Sequence, residues 1–322
     1  MVVRELQYVF GPVPSRRLGR SLGVNNIPPK ICTYSCIYCQ IGKTITFEVI
    51  RREFFKPQEI VNAVANIIGK QDVGIDYITF VPDGEPTLDI NLGKTARMLK
   101  KITDIPLAIL TNSSLIHRRD VRDDLNVFDV VSLKIDAVTE KIWRVINRPH
   151  PQLVLGKILD GILEFQKSYN GRILTETMLV KNVNDSNEEL CKIAEFISQT
   201  NVDKAYVAIP IRPPAEKWVE PPLEEKVAMA YNCFVEYLGK NHVELLIGYE
   251  GPDFRLIGDP IQALLATVCV HPMRIDYAFE YLRKHNLDPE KVINELVSKN
   301  KIRVIEYGET KFIIRKFSMQ PN

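Results

Sequence analysis

Apolar residues along this chain fall into two rhythms that take turns. Short β-rich runs recur at Ser21 to Asn26, Tyr77 to Val81, Leu107 to Thr111, Val130 to Ile135, Ile173 to Val180, Ala205 to Ile209 and Val243 to Ile247. Between them a helical period marks Pro57 to Ile68, Leu92 to Ile102, Val154 to Tyr169, Asn187 to Gln199 and Leu223 to Lys240. This alternation predicts an α/β fold: a parallel sheet with crossover helices, wide enough to curl into a full or partial (β/α) barrel. In such barrels function gathers on the loops after the C-terminal ends of the strands.

Beyond Phe254 the pattern changes. Helical runs at Ile261 to Val268, Arg274 to His285 and Pro289 to Lys299 precede two β-rich segments, Ile302 to Tyr307 and Lys311 to Phe317, turning at Gly308. Three helices and a hairpin predict a small winged-helix-like module over 255–322, set against a barrel over 1–254. Such a module packs against protein or contacts nucleic acid. Its ten basic and eight acidic residues from Leu256 onward leave both roles open. The stretch Pro210 to Pro222 is expected to be a long ordered loop.

A chain of 322 residues can hold one large domain and a small one. With 45% hydrophobic and 25% charged residues it has the balance of a soluble globular protein. No apolar run approaches the roughly 18 residues needed to span a bilayer, and the N-terminus turns polar at Arg4 without a signal-peptide core, so the expected address is cytoplasmic and no membrane partner is expected. Net charge is only +2, yet nine Lys or Arg face three Asp or Glu between Met1 and Pro57. That excess suits an anionic substrate or a solvated basic face.

The basic segment surrounds three of the six cysteines, Cys32, Cys36 and Cys39, spaced C-x3-C-x2-C. Three thiolates on one loop can hold three irons of a cubane, leaving the fourth iron open to chelate a small molecule. Zinc is the rival, since short spacings also suit a tetrahedral site, but no fourth Cys or His stands close by. Cys191, Cys233 and Cys269 are too scattered for a second cluster and are read as small core residues.

Other candidates follow strand ends. Gly84 and Glu85 sit in a Pro-Asp-Gly-Glu-Pro turn, and Asn112 either caps a helix or meets a ligand. Alternation puts Ser132, Lys134 and Asp136 on one strand face, as a ligand-facing row or an internal Lys-Asp pair. Glu176 points with the polar alternation of its own strand, and Arg212 follows a strand end near the expected barrel mouth. Arg16, Arg17 and Arg20 form a possible anion site near the cysteines or a solvated face, and His271 reads as a structural loop residue.

The cysteine spacing, with the aromatic Tyr38 just before the last cysteine, resembles the radical S-adenosylmethionine (radical SAM) superfamily. Within it, Phe10 to Gly19 is similar to the opening of a group of Fe-S oxidoreductases related to the wyosine-base-forming tRNA enzyme and, more distantly, the molybdopterin-precursor cyclase. The chain lacks the extra cysteines of both. The resemblance implies a radical SAM barrel, a 4Fe-4S cluster on Cys32, Cys36 and Cys39, and S-adenosylmethionine (SAM) cleaved to a 5'-deoxyadenosyl radical that abstracts hydrogen. It gives the methionine amino group to the Gly84 and Glu85 loop, the carboxylate to Lys134, the ribose to Ser132 or Asp136, and the adenine to Val180. Asn112 and Tyr38 join that SAM-binding set. An electron donor such as ferredoxin or flavodoxin is implied as well.

These readings predict a radical SAM enzyme acting on an anionic substrate, RNA and in particular tRNA being one class, held by Arg16, Arg17, Arg20, Glu176 and Arg212 with help from Lys299, Lys301, Arg303 and Lys311. One alternative is a radical SAM activase or peptide-modifying enzyme whose C-terminal module grips a protein. Another is a non-enzymatic Fe-S or zinc sensor with a DNA-binding winged helix.

Overall fold

A computed structural model describes residues 8–69, 74–254, 256 and 258–316. The chain enters through β1 (Val9–Ser15) and turns back into β2 (Gly19–Val24), which pairs with it antiparallel. Two-residue strands β3 (Ile31–Cys32) and β4 (Thr46–Phe47) pair with each other in the excursion that follows. From β2 the main sheet then runs parallel through β5 (Tyr77–Phe80), β6 (Leu107–Thr111), β7 (Val130–Lys134), β8 (Arg172–Met178), β9 (Lys204–Ala208) and β10 (Val243–Leu246). The eight strands β1, β2 and β5 to β10 lie side by side in sequence order and curl into a half-barrel. Its two edges approach each other: Arg16, after β1, donates from its guanidinium to the Gly248 carbonyl, after β10, at 2.7 Å.

Crossover helices cover the outer face, as a parallel sheet requires. They are α1 (Pro57–Ile68), α2 (Leu92–Leu99), α3 (Arg119–Leu125), α4 (Glu140–Ile146), α5 (Leu155–Gln166), α6 (Asn187–Ser198) and α7 (Glu224–Leu238). Their formation is visible in α1. Pro57 opens it where no amide donor is needed, and Ile60, Val64 and Ile67 recur on one buried stripe while Gln58 and Asn62 bond to each other outside. Each buried aliphatic side chain of this kind is worth about 1.5–3 kcal/mol.

Among the main-sheet strands and their crossover helices, three elements escaped the hydrophobic pattern. β1 carries Pro12 and Pro14 and an irregular register between Phe10 and Val13, features tolerated only because it is an edge strand. The ring of Phe10 fills the space beside Gly23, where a Cβ would lie 2.1 Å from it, so the glycine is needed for that packing. α3 and α4, at seven residues each, are too short to show a period.

A second apolar cluster lies beyond the barrel strands. α8 (Pro260–Val270), β11 (Met273–Arg274), α9 (Ile275–Lys284), α10 (Pro289–Ser298), β12 (Ile302–Tyr307) and β13 (Thr310–Arg315) surround Leu264, Met273, Leu282 and Ile313, and Phe10 and Val13 of β1 join them. β11, β13 and β12 form an antiparallel sheet in that order, with Gly308 at φ +58° in the hairpin turn. Phe317, expected to end the last strand, lies outside the described residues.

The cysteines outside the motif differ from expectation. Cys191 on α6 and Cys233 on α7 are joined by a disulfide, with Cα atoms 5.7 Å apart, because the two helices lie side by side. Only Cys233 is buried within the core. No helix among the described residues is long and apolar enough to cross a membrane.

One buried cation braces the barrel beside the loop after β5. Arg51, 3% exposed in its side chain, donates to the Thr87 and Asp89 carbonyls at 2.8 Å each and pairs with Asp120 and Asp124 on α3. Arg51→Met removes one partner from this network and leaves Asp124 buried without its cation. Such a loss typically costs 3–5 kcal/mol; because Asp120 is half exposed, about 3 kcal/mol is expected, measured by urea unfolding.

Candidate functional site

The cysteine segment has almost no regular structure, so its backbone groups find partners elsewhere. On one side, the Lys30 amide donates to the Asp83 carbonyl at 2.7 Å and the Glu85 amide to the Ile31 carbonyl at 3.1 Å. On the other, the Ser35 and Ile37 amides donate to the Asn147 and Ile146 carbonyls at the end of α4, and the His150 amide to the Thr33 carbonyl. Tyr34, between the first two cysteines, packs edge-on against Trp143 and accepts its indole N–H at 3.1 Å. Gly84 is what lets the two loops meet. A Cβ there would lie 2.0 Å from the Ile31 carbonyl oxygen.

Two buried carboxylates finish the framework. Glu85 accepts from the Thr87 amide and hydroxyl, the Thr111 hydroxyl and the Asn112 amide, at 2.6 to 3.0 Å. Burial pushes its carboxyl up, and these bonds pull it back only in part. Asp136 accepts from the Tyr38 hydroxyl, from Asn147 at 2.7 Å and from the Met178 amide at 2.8 Å. Both carboxylates accept from several protein donors and tie the loop and Tyr38 to the barrel.

The sulfurs face amide donors. Asn112 Nδ2 lies 3.5 Å from Cys32 Sγ and Asn147 Nδ2 3.4 Å from Cys36 Sγ. Asn112 thus serves the cysteine loop and also bonds Thr33 at 2.8 Å; it caps no helix. Burial raises all three thiols, Cys36 to about 12, with Glu85 adding to Cys32 and Asp136 to Cys36. Free thiolates would be disfavoured there, whereas thiols that coordinate metal give up their protons outright. Among the described residues no three His, Cys, Asp or Glu side chains converge as one metal ion needs. Three thiolates that each meet a different iron, with N–H groups aimed at two of them, fit an iron-sulfur cluster better than zinc.

Beside the loop, the inner face of the half-barrel encloses a chamber of about 320 Å³. Tyr38, Cys39, Lys134, Glu176, Arg16, Arg17 and Arg212 all line it. Lys134 donates to Glu176 at 2.5 Å, lies 3.7 Å from Asp136, and sits 5.0 Å above the Tyr38 ring. Burial lowers its pKa. Arg17 pairs with the other oxygen of Glu176. Burial and mutual repulsion among the guanidiniums bring Arg16 and Arg17 down to about 10. Arg212 bonds Gln40 at 3.1 Å and Glu250 at 2.5 Å, and Glu250 meets His271 at 2.6 Å. Burial pushes Glu250 up, but His271 and Arg212 outweigh it and hold it below the usual range.

Three residues stand elsewhere than expected. Arg20 lies at the N-terminal end of β2, away from the chamber, where it binds Asp76 through its backbone amide and its guanidinium. Val180 is fully buried in the main core beyond the end of β8, and Met178 lines the chamber instead. Ser132 is buried on the same face as Lys134 but below the chamber. Sequence reasoning missed Asn147, which no local motif marks; His271, read as a structural loop residue, bonds Glu250 and lines the chamber wall.

The model of the radical SAM superfamily matches residues 26–197. The UPF0026 protein MJ1312 of Methanocaldococcus jannaschii is 48% identical over 95% of this chain and 95% of its own length. The chain belongs to the radical SAM superfamily, in its UPF0026 family. Its radical SAM membership brings a 4Fe-4S cluster and SAM as cofactors. A probable dual-specificity RNA methyltransferase of Thermotoga sp. is 25% identical over 68% of this chain, which spans 62% of that relative. A solved radical SAM methyltransferase from Sphaerobacter thermophilus shares the fold with a TM-score of 0.52 at 14% identity, over 70% of this chain and 66% of its own.

Gly84→Ala forces the radical SAM loop away from Ile31. The expected outcome is a loss of about 1–3 kcal/mol, the usual cost of overpacking, in thermal unfolding, with a fall in iron bound per chain after reconstitution.

Proposed function

We propose that this chain is a radical SAM enzyme that abstracts hydrogen from an anionic substrate, RNA and tRNA in particular, bound in the half-barrel chamber. The observation that carries the reading is the set of cations facing the site: Arg16, Arg17, Lys134 and Arg212 outnumber Glu176, Glu250 and Asp136 around one small cavity. The RNA methyltransferase relative supports RNA as the substrate class. When bound, the cluster and SAM supply a 5'-deoxyadenosyl radical, the electron coming from a ferredoxin- or flavodoxin-type donor.

The chain's own residues do the rest. Cys32, Cys36 and Cys39 hold the cluster. Lys134, on the rim beside Tyr38, pairs with the SAM carboxylate, and the backbone at Gly84 takes the methionine amino group. Arg16 and Arg212 bind the substrate's anionic group, with Gln40 and Glu250 fixing the orientation of Arg212. Val270, at the end of α8, and His271 line the chamber wall and so help position what enters.

Anaerobic reconstitution, reduction with dithionite and addition of SAM is expected to yield 5'-deoxyadenosine, and Cys36→Ala to abolish it. An intact, reduced cluster that neither binds SAM nor forms 5'-deoxyadenosine overturns the reading. Arg212→Ala is expected to lower RNA-dependent turnover at least about tenfold, as truncating a buried charged partner does. If a polypeptide rather than RNA stimulates the reaction, the activase alternative takes its place.

A further inference from the structure

Next to the chamber lies a second cavity of about 340 Å³, between the segment that follows Cys39 and the β12–β13 hairpin. Its cations come from both walls: Lys30 and Lys43 from the cysteine loop, Arg303, Arg315 and Lys316 from the hairpin. Among the described residues no carboxylate lines it. Lys30 faces the buried Asp83 at 3.6 Å, and Lys43 shares Glu216 with Arg148. Arg303 and Arg315 have no carboxylate partner among the described residues. Strand pairing puts Arg303 directly opposite Ile314, and its floor is apolar, including Ile41, Val268 and Ile314.

Like charges gathered around one cavity repel each other unless an anion joins them, so the groove is complementary to a polyanion. Its shape narrows the choice. Cations on two facing walls clasp a narrow chain from both sides, whereas a globular acidic protein offers a convex face that meets only the rims. Its position narrows it further, because Gln40 and Ile41 line both the groove and the chamber. A chain in the groove thus lies against residues that also line the chamber, whose wall includes Cys39.

We infer that the groove holds the phosphodiester backbone of single-stranded RNA, with the reacting nucleotide turned past Gln40 into the chamber. This rests on the reading of the substrate as RNA and adds where the strand lies. Phosphates alternate between Lys43 on one wall and Arg303 and Arg315 on the other. Gln40, which bonds the Val270 carbonyl at 3.3 Å and accepts from Arg212, is the partition the nucleotide passes.

The test measures binding of a fluorescent single-stranded RNA oligomer to the reconstituted full chain across a salt series. It compares the natural protein with Arg303→Glu and with the Arg303→Glu, Arg315→Glu double variant, matched for iron content and unfolding temperature. The exposed Arg303→Glu keeps the test open if the double variant folds poorly. The double variant is expected to bind at least about tenfold more weakly, with the log-log salt slope reduced by about 0.7 for each phosphate that is no longer neutralised. Equal affinity and slope in all three proteins overturn the groove while leaving RNA as substrate. Absence of RNA binding by the natural protein at low salt overturns both. If RNA binding is equal but 5'-deoxyadenosine forms more slowly only when a reduced ferredoxin or flavodoxin replaces dithionite, the groove is an electron carrier's dock and the proposal fails.

Discussion

A loop with little secondary structure has to hold three sulfurs steady against the end of a barrel, and buried carboxylates make that possible. Glu85 ties the turn after β5 to the end of β6, and Asp136 ties Tyr38, Asn147 and β8 together. In a low-dielectric interior an acceptor with several donors is a strong, direction-setting anchor, while the same carboxylate left unpaired would be costly. The cysteine loop is thus fixed from both sides by protein groups. Its amide donors then find sulfur within reach, at Asn112 and Asn147.

The same framework explains how charge is distributed around the chamber. Lys134, Arg17 and Glu176 form a chain of pairs on the inner face, and Arg212, Glu250 and His271 form another at the wall supplied by the C-terminal segment. Lys134 and Arg17 share Glu176, and Arg212 shares Glu250 with His271, whose pKa burial lowers. Such pairs keep long side chains in place while leaving net positive charge for a ligand, an arrangement suited to a site that must accept both SAM and a substrate. The disulfide between α6 and α7 lies on the outer layer, remote from these networks.

Much of the architecture was legible in the pattern of apolar residues. Every strand of the main sheet except β1 was expected near its observed place, and so were the longer crossover helices, because burial against a sheet imposes a period that survives in the sequence. β1 was not, since its prolines break the period that an edge strand does not need. For the site, alternation correctly put Lys134 and Glu176 on the chamber face, and strand-end position suggested Arg212. The basic segment also suggested Arg20, which stands at the N-terminal end of β2 and binds Asp76, and the resemblance suggested Val180, which is buried past the end of β8.

The sequence by itself determined the elements, the cysteine spacing and hence the superfamily chemistry, because these rest on neighbours a few residues apart. Only the tertiary structure decided which side chains are free to meet a ligand. Glu85 and Asp136, singled out in the sequence as ligand-binding groups, also anchor the loop, while Asn147, over 100 residues from the cysteines, stands beside Cys36, and His271 lines the same chamber as Cys39. Packing brings such distant groups together, and the competition among them for each hydrogen bond has no trace in local pattern.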